Sequence, residues 1–299
     1  YQTGSVGKLH FYPPTAEHAR GTGFDRVQLD DGVGSTDPYS DYVRWRNAND
    51  PNRKTPYLAT SPKPSAAQNP FRGVIPYEFT PTHWTGEQSC RMLRDFAASP
   101  RPFFLFCSFF KPHAPHTVPE PYDSMYSGVE IPLPPPVTIE DIQKLPLPVQ
   151  RQILRFTPQY NMNRERLQWI WRSYYASVSM VDYEAGRILD ELERSGRARD
   201  TIVIIASDHG DQLLEHGLEG KNVFFESSVH VPFLMRFPGR IRPGRHTELI
   251  EMVDVLPTTL ELCGVSVPVN VQGRSFARPA RGEAGYQPRE IVFAENVMP

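Results

Sequence analysis

The sequence predicts an α/β protein with a mostly parallel or mixed central sheet flanked by helices, and three observations carry that reading. First, Phe103–Cys107 (FFLFC) and Thr201–Ala206 (TIVIIA) are continuously apolar rather than alternating, as strands covered on both faces are. Second, from Arg164 to Arg194 the residues Leu167, Ile170, Trp171, Tyr174, Val178, Val181, Ile188 and Leu192 recur at spacings of three, four and seven. They form one stripe of a long amphipathic helix, which Gly196 stops. Third, that helix leads through a short polar link into TIVIIA, which is half of an α/β unit.

In chain order, the opening YQTGSVGKLHF carries Gly7-Lys8-Leu9-His10 and has neither an initiator Met nor a charged-then-apolar leader. Residues 30–76 are rich in Asp, Asn, Pro and Ser and read as a long loop. A helix is expected over His83–Ala97, directly before FFLFC. Residues 118–148, with EPYD, PLPPP and LPLP, form a second loop-like stretch. After the long helix and TIVIIA comes a third β-rich run, VPFLMRF at Val231–Phe237, and a helix over Asp254–Cys263 that ends at Gly264. Loops this long usually wall or cover a site, and Trp45, Tyr122 and Tyr126 within them are candidate walls for an aromatic or sugar alcohol. Ring packing within the protein is the competing use of those side chains.

Composition narrows the classes. The chain has 299 residues and a formal net charge of -2, long enough for one large or two modest domains and without the basic excess of a nucleic-acid binder. No apolar stretch approaches the roughly 18 residues of a membrane span. The 31 prolines form no short repeat and point to ordered loops. Three cysteines, Cys90, Cys107 and Cys263, are too scattered for a disulfide framework or a CxxC zinc site.

The chemistry-bearing residues cluster where strands end. Ser207-Asp208-His209-Gly210-Asp211 directly follows TIVIIA, at the edge where open α/β sheets bind ligands. Asp208 offers a hard oxygen and His209 a ring nitrogen, two members of a divalent-metal shell; a capped turn is the alternative. Asp30-Asp31 is another acidic pair, most simply a turn. Lys111-Pro112-His113-Ala114-Pro115-His116 follows FFLFC, with prolines that fix the directions of two imidazoles. His113 suits a general acid and His116 a substrate contact, or either is a hydrogen-bonded loop residue. If Gly7–His10 is extended, Lys8 and His10 share one face and favour an oxyanion. In Glu215-His216-Gly217-Leu218-Glu219-Gly220-Lys221, glycines let the backbone return toward the SDHGD loop and bring Lys221 with it.

Order and spacing together resemble the type I, formylglycine-dependent sulfatases of the alkaline phosphatase superfamily. The resemblance runs through GKLH, FFLFCSFFKPHAPH, YYASVSMVDYEAGRILDELERSG, TIVIIASDHGDQLLEHGLEGK, VPFLMRFPG, DVLPTTLELCG and VQGRSF. It implies an alkaline phosphatase-like fold and a sulfate monoester substrate. Asp208 and His209 would be half of a divalent metal site, calcium in most members, with magnesium or manganese as alternatives. Lys8 and His10 would flank the nucleophile, Lys8 stabilising negative charge and His10 helping a hydrated aldehyde expel sulfate. His113 and Lys221 would contact the bridging oxygen of the ester.

The family's nucleophile lies in a C/S-x-P/A-x-R motif that precedes GKxH, together with an acidic pair. Cys90-Arg91-Met92-Leu93-Arg94 has the spacing without the Pro or Ala, and it follows GKLH. The expectation is therefore a catalytic domain truncated at both ends. Residues 1–270 would be partial catalytic domain and 271–299 the start of a smaller subdomain. The formylglycine would lie upstream, the compartment stays open, and this chain alone would be inactive. A phosphonate monoester or phosphodiester hydrolase of the same superfamily is the nearest rival, and a non-catalytic anion-binding or interaction module the more distant one.

Overall fold

The computed structural model describes residues 1–31, 39–52, 70–156 and 164–295, apart from the side chains of residues 152 and 154–156. The chain divides into two compact units, Tyr1–Thr138 with Thr157–Ser195, and Ile139–Phe156 with Gly196–Pro299.

In the first unit β1 (Gln2–Gly7), β2 (Arg26–Leu29) and β3 (Phe103–Ser108) form a parallel sheet in the order β2-β1-β3. The register sets Gly7 opposite both Leu29 and Ser108, so all three strands finish level at one carboxyl edge. α1 (Ala16–Gly21), capped by the Thr15 hydroxyl, links β1 to β2 and buries Ala19 against Val27 and Leu29. α2 (Asp41–Asn49) is capped by Ser40. α3 (Pro81–Ala97) starts two residues before the position expected from its apolar pattern, because Thr80 caps the His83 N–H and Pro81 takes the first helical position. Its Trp84, Met92 and Phe96 pack with Val6, Tyr42 and Ile75 into the main core. α6 (Arg164–Arg194) has the bounds its periodicity predicts and lies along α3, with Glu184 fully buried between them.

The second unit holds α4 (Ile139–Gln143), α5 (Leu147–Phe156), β4 (Val203–Ala206), α7 (Glu226–Val229), β5 (Phe233–Arg236), α8 (Val255–Leu262) and α9 (Ala277–Arg281). β4 and β5 pair antiparallel, from Val203 opposite Arg236 to Ala206 opposite Phe233. Before α8, the buried Asp254 accepts hydrogen bonds from the backbone of Glu251 and Arg274 and an ion pair from Arg289.

Three expectations are corrected. The apolar runs are not covered on both faces among the described residues: Phe104 and Phe106 of β3 and Ile205 of β4 are exposed, since β3 is an edge strand and β4–β5 a two-stranded ribbon. α2 lies inside a stretch read as loop, because it is held by its cap and by the buried Arg46–Asp50 ion pair at 2.8 Å rather than by an apolar stripe. α4 and the start of α5 interrupt the second proline-rich stretch.

Candidate active site

The carboxyl edge of the parallel sheet gathers the first group of residues. Gly7 has φ 94°, and a Cβ there would lie 1.9 Å from the Ser108 carbonyl oxygen, so only glycine fits. The Lys8 N–H donates to that same oxygen at 3.0 Å, and the Asp30 N–H donates to the Gly7 carbonyl at 3.0 Å. The buried carboxylate of Asp31 then accepts the N–H groups of Leu9 and His10 through Oδ1, each at 2.9 Å. His10 sits in the left-handed region at φ 56°. The strand has therefore ended at Gly7, and the expected extended alternation of Lys8 and His10 does not apply: Asp31 curls this segment instead. Asp30 accepts from Ser40 Oγ at 3.1 Å, so both acidic side chains serve hydrogen bonds within the unit.

Beyond β3, Phe110 brings two expected site residues together. The Lys8 Nζ lies 5.3 Å from the Phe110 ring centroid and the His113 ring 5.0 Å from it. His113 Nδ1 is 2.7 Å from the Ala114 carbonyl oxygen, which can only accept. The proton is thereby fixed on Nδ1. The bonds before Pro112 and Pro115 are cis. His116 is buried, edge-on to Tyr174 at 5.9 Å.

The motif also supplies a residue given no role from sequence. Lys111 Nζ donates to the Pro115 carbonyl at 2.5 Å, across the loop that carries His113, and lines a pocket with Thr80, Thr82, Thr117 and Met180. Burial lowers its pKa to about 7. Nothing in the spelling KPHAPH distinguishes such a lysine from a solvated one.

In the second unit the SDHGD loop turns on its own side chains. Ser207 Oγ donates to the His209 carbonyl at 2.7 Å, and the His209 N–H donates to Asp208 Oδ1 at 3.1 Å. His209 Nδ1 is 2.7 Å from the Gly210 carbonyl oxygen, which directs the lone pair to Nε2, 3.6 Å from Asp208 Oδ2. The Gly210 N–H donates to Ser228 O at 2.8 Å, and buried Gln212 donates from its side chain to Ser228 Oγ at 2.7 Å. The Gln212 N–H also donates to the Gly220 carbonyl at 2.8 Å, which returns the chain to this loop with half-buried Lys221 next in sequence.

A ring with Nδ1 engaged and Nε2 3.6 Å from the Oδ2 of a carboxylate whose side chain is 75% exposed is a donor set that fits part of a divalent-metal shell. Calcium takes about six to eight ligands. Among the described residues no three His, Cys, Asp or Glu side chains converge, so Asp208 and His209 account for part of a shell only.

Neither cysteine of the first unit is poised as a nucleophile. Cys90 is buried within α3 and burial raises its pKa, while burial pushes Cys107 up to about 12, with Ser89 Oγ at 3.0 Å. The aromatic walls expected from sequence are also spent elsewhere: Trp45 packs on the main core, Tyr122 is buried against Ala176 and Met180, and the Tyr126 hydroxyl bonds Ser179 Oγ at 2.9 Å. Parts of the first loop stretch, 32–38 and 53–69, lie outside the described residues.

Comparison with known proteins places these features in a wider group. The chain is 29% identical over 294 residues to an arylsulfatase from Clostridium perfringens, covering 92% of this chain and 59% of that protein. It is 32% identical over 208 residues to an endo-4-O-sulfatase from Bacteroides thetaiotaomicron, covering 68% of this chain and 37% of that protein. The chain thus spans less than two thirds of either relative. The solved phosphonate monoester hydrolase of Agrobacterium radiobacter superposes with a TM-score of 0.79 over 97% of this chain and 61% of that one, at 22% identity, a likeness of fold alone. The sequence profile of the family described as Sulfatase matches residues 1–265, and the chain belongs to that family.

Proposed function

We propose that these residues form part of the machinery of a sulfate monoester hydrolase. The observation that supports it most is the grouping of Lys8 and His113 on the Phe110 ring, at the carboxyl edge of a parallel sheet in a sulfatase-family chain. Sulfuryl transfer builds negative charge on the peripheral and leaving oxygens. Lys8 Nζ supplies positive charge to the former. His113, with Nδ1–H held by Ala114, presents Nε2 to the leaving oxygen; when Nε2 is protonated, its proton passes to that oxygen as the S–O bond breaks. By the resemblance to the family, Lys221 would contribute positive charge to a departing ester oxygen, His116 would border the leaving group, and His10 would stand beside the attacking group. A calcium ion, or magnesium or manganese in its place, would be held by Asp208 and Nε2 of His209 and would polarise the sulfuryl oxygens.

None of the 299 residues is a Cys or Ser in a C/S-x-P/A-x-R motif, so the formylglycine of the family is not encoded in them. This chain alone is proposed to be inactive. The test is sulfate release from 4-nitrophenyl sulfate by the 299-residue chain and by the natural gene product that carries it. No release from the first and release from the second is expected; turnover by the chain alone would overturn the assignment. Faster turnover of an aryl phosphonate ester by the gene product would instead favour the phosphonate hydrolase reading, to which the Agrobacterium structure is similar in fold.

A further inference from the structure

Residues 110–117, which follow β3, fold back on themselves around His113. The His113 N–H donates to the Phe110 carbonyl at 3.2 Å, and its ring lies 5.0 Å from the Phe110 ring. At the far end, the Pro115 carbonyl accepts from two sides, from Lys111 Nζ at 2.5 Å and from the Thr117 N–H at 2.8 Å. The Lys111 bond closes the loop, because it ties the residue after Phe110 to the residue after Ala114 with His113 between them.

That tie bears on the imidazole through one neighbouring carbonyl. His113 Nδ1 donates to the Ala114 oxygen at 2.7 Å. The Ala114–Pro115 peptide is planar and the pyrrolidine ring fixes φ of Pro115, so a single soft torsion, ψ of Pro115, separates the Ala114 carbonyl from the Pro115 carbonyl. Holding the second oxygen therefore restricts the first. Lys111 reaches Pro115 from within the fold, where it lines a pocket with Gly73, Thr80, Thr82, Thr117 and Met180. Burial, which lowers its pKa to about 7, favours the neutral amine. That form still carries N–H donors, so the bond to Pro115 does not depend on the charge.

We propose that Lys111 is a positioning residue for His113: by holding the Pro115 carbonyl it keeps the Ala114 carbonyl in place as the acceptor of Nδ1–H, and so sets the tautomer and the direction of the imidazole. Lys111 acts through the loop and touches no reacting atom. For its catalytic consequence this role rests on the sulfate-ester reading of the site. A general acid transfers its proton only from the right direction, so losing the brace lowers kcat and leaves substrate binding nearly unchanged.

The experiment labels the histidines of the natural gene product with 15N and reads the Nδ1 and Nε2 shifts of His113, assigned with His113→Gln, at a pH where the ring is neutral. The parent should hold its proton on Nδ1. In Lys111→Met, which keeps most of the stem and loses the donor, the ratio of Nδ1–H to Nε2–H should fall about fivefold, the worth of one hydrogen bond. Lys111→Arg, which keeps a donor at similar reach, should retain the parental ratio. Lys111→Gln, too short to reach Pro115, repeats the test if Lys111→Met does not fold. With 4-nitrophenyl sulfate, Lys111→Met should lower kcat about fivefold at unchanged KM, and adding it to His113→Gln should cost nothing more. An unchanged ratio in both Lys111→Met and Lys111→Gln, an equal loss in Lys111→Arg, or a further fivefold fall in the double variant would overturn the proposal. If the gene product released no sulfate, the sulfatase reading would fail, and the tautomer ratios alone would still decide the role of Lys111.

Discussion

Replacing Gly86 by alanine offers a demanding test of how α3 and α6 are joined. In an exposed helix interior the change would add about 1 kcal/mol of helix stability. Here the new Cβ would fall 2.0 Å from Oε2, 2.7 Å from Cδ and 3.0 Å from Cβ of Glu184, so swinging the carboxylate aside is not enough. That carboxylate is fully buried and accepts from the Tyr77 hydroxyl, from His83 Nδ1 at 2.8 Å and from Arg187 Nη1 at 2.7 Å. Burial, followed by the bond to Glu184, drives the Tyr77 pKa upward, so Tyr77 stays a donor. Breaking a buried charged cluster costs about 3–5 kcal/mol. The side chains of His83 and Arg187 are 24% and 28% exposed, which selects the lower end. Against the propensity gain, the net loss is about 2 kcal/mol, or roughly 4–8 °C in Tm for a unit of this size. Thermal and urea unfolding measure it. In a Glu184→Ala background, where Oε2 and Cδ are gone, the same change should cost less than about 1 kcal/mol. A Gly86→Ala protein as stable as the parent would show that Glu184 does not close the space beside Gly86.

Other consequences follow from single contacts. Lys111, its pKa lowered by burial, should titrate near 7 when its 13C-methylated amine is followed by NMR; a midpoint near 10 would place it in solvent. Asp31→Ala removes the acceptor of two backbone donors and should speed amide exchange at Leu9 and His10 about tenfold, with unchanged rates counting against its holding role. The Asp254 carboxyl is opposed by burial but held below its ordinary pKa by Arg289 and by the backbone N–H groups of Arg274 and Glu251. Because its folded pKa lies below the unfolded one, its stabilisation is complete above about pH 4 and fades as the pH falls further. The drop in urea midpoint between pH 6 and pH 3 should be smaller in Asp254→Asn, and an equal drop would exclude this carboxyl as its source.

Much of this was readable because local chemistry and tertiary structure agree. The apolar residues from Leu167 to Leu192 recur with the period of a helix and α6 spans Arg164–Arg194, but only Ile170 and Leu192 of that stripe are buried and Val178 is exposed, because the packed face is offset toward Ser173, Ser177, Met180 and Glu184. FFLFC and TIVIIA are strands at the expected places, each shortened or extended by one or two residues. α2 was hidden because its stability comes from Ser40 and the Arg46–Asp50 pair, neither of which leaves an apolar period. Within the site, the motifs mark Lys8, His113, Asp208, His209 and Lys221 by type and order. The curl at His10 was not legible, since it depends on Asp31, two residues past the end of β2. Lys111 was missed for the same reason: its character comes from the pocket over which the loop folds. Tyr122 and Trp45 looked like pocket walls, and only the packing shows them turned inward.

Lys8, His113, Asp208, His209 and Lys221 are proposed to serve sulfate-ester hydrolysis. The most direct test of this role is the turnover of 4-nitrophenyl sulfate by the natural gene product, compared with its His113→Gln variant. The account predicts sulfate release that falls about 100-fold in the variant, the loss expected for a missing general acid. Equal rates in both proteins, or no sulfate release from the parent, would contradict it.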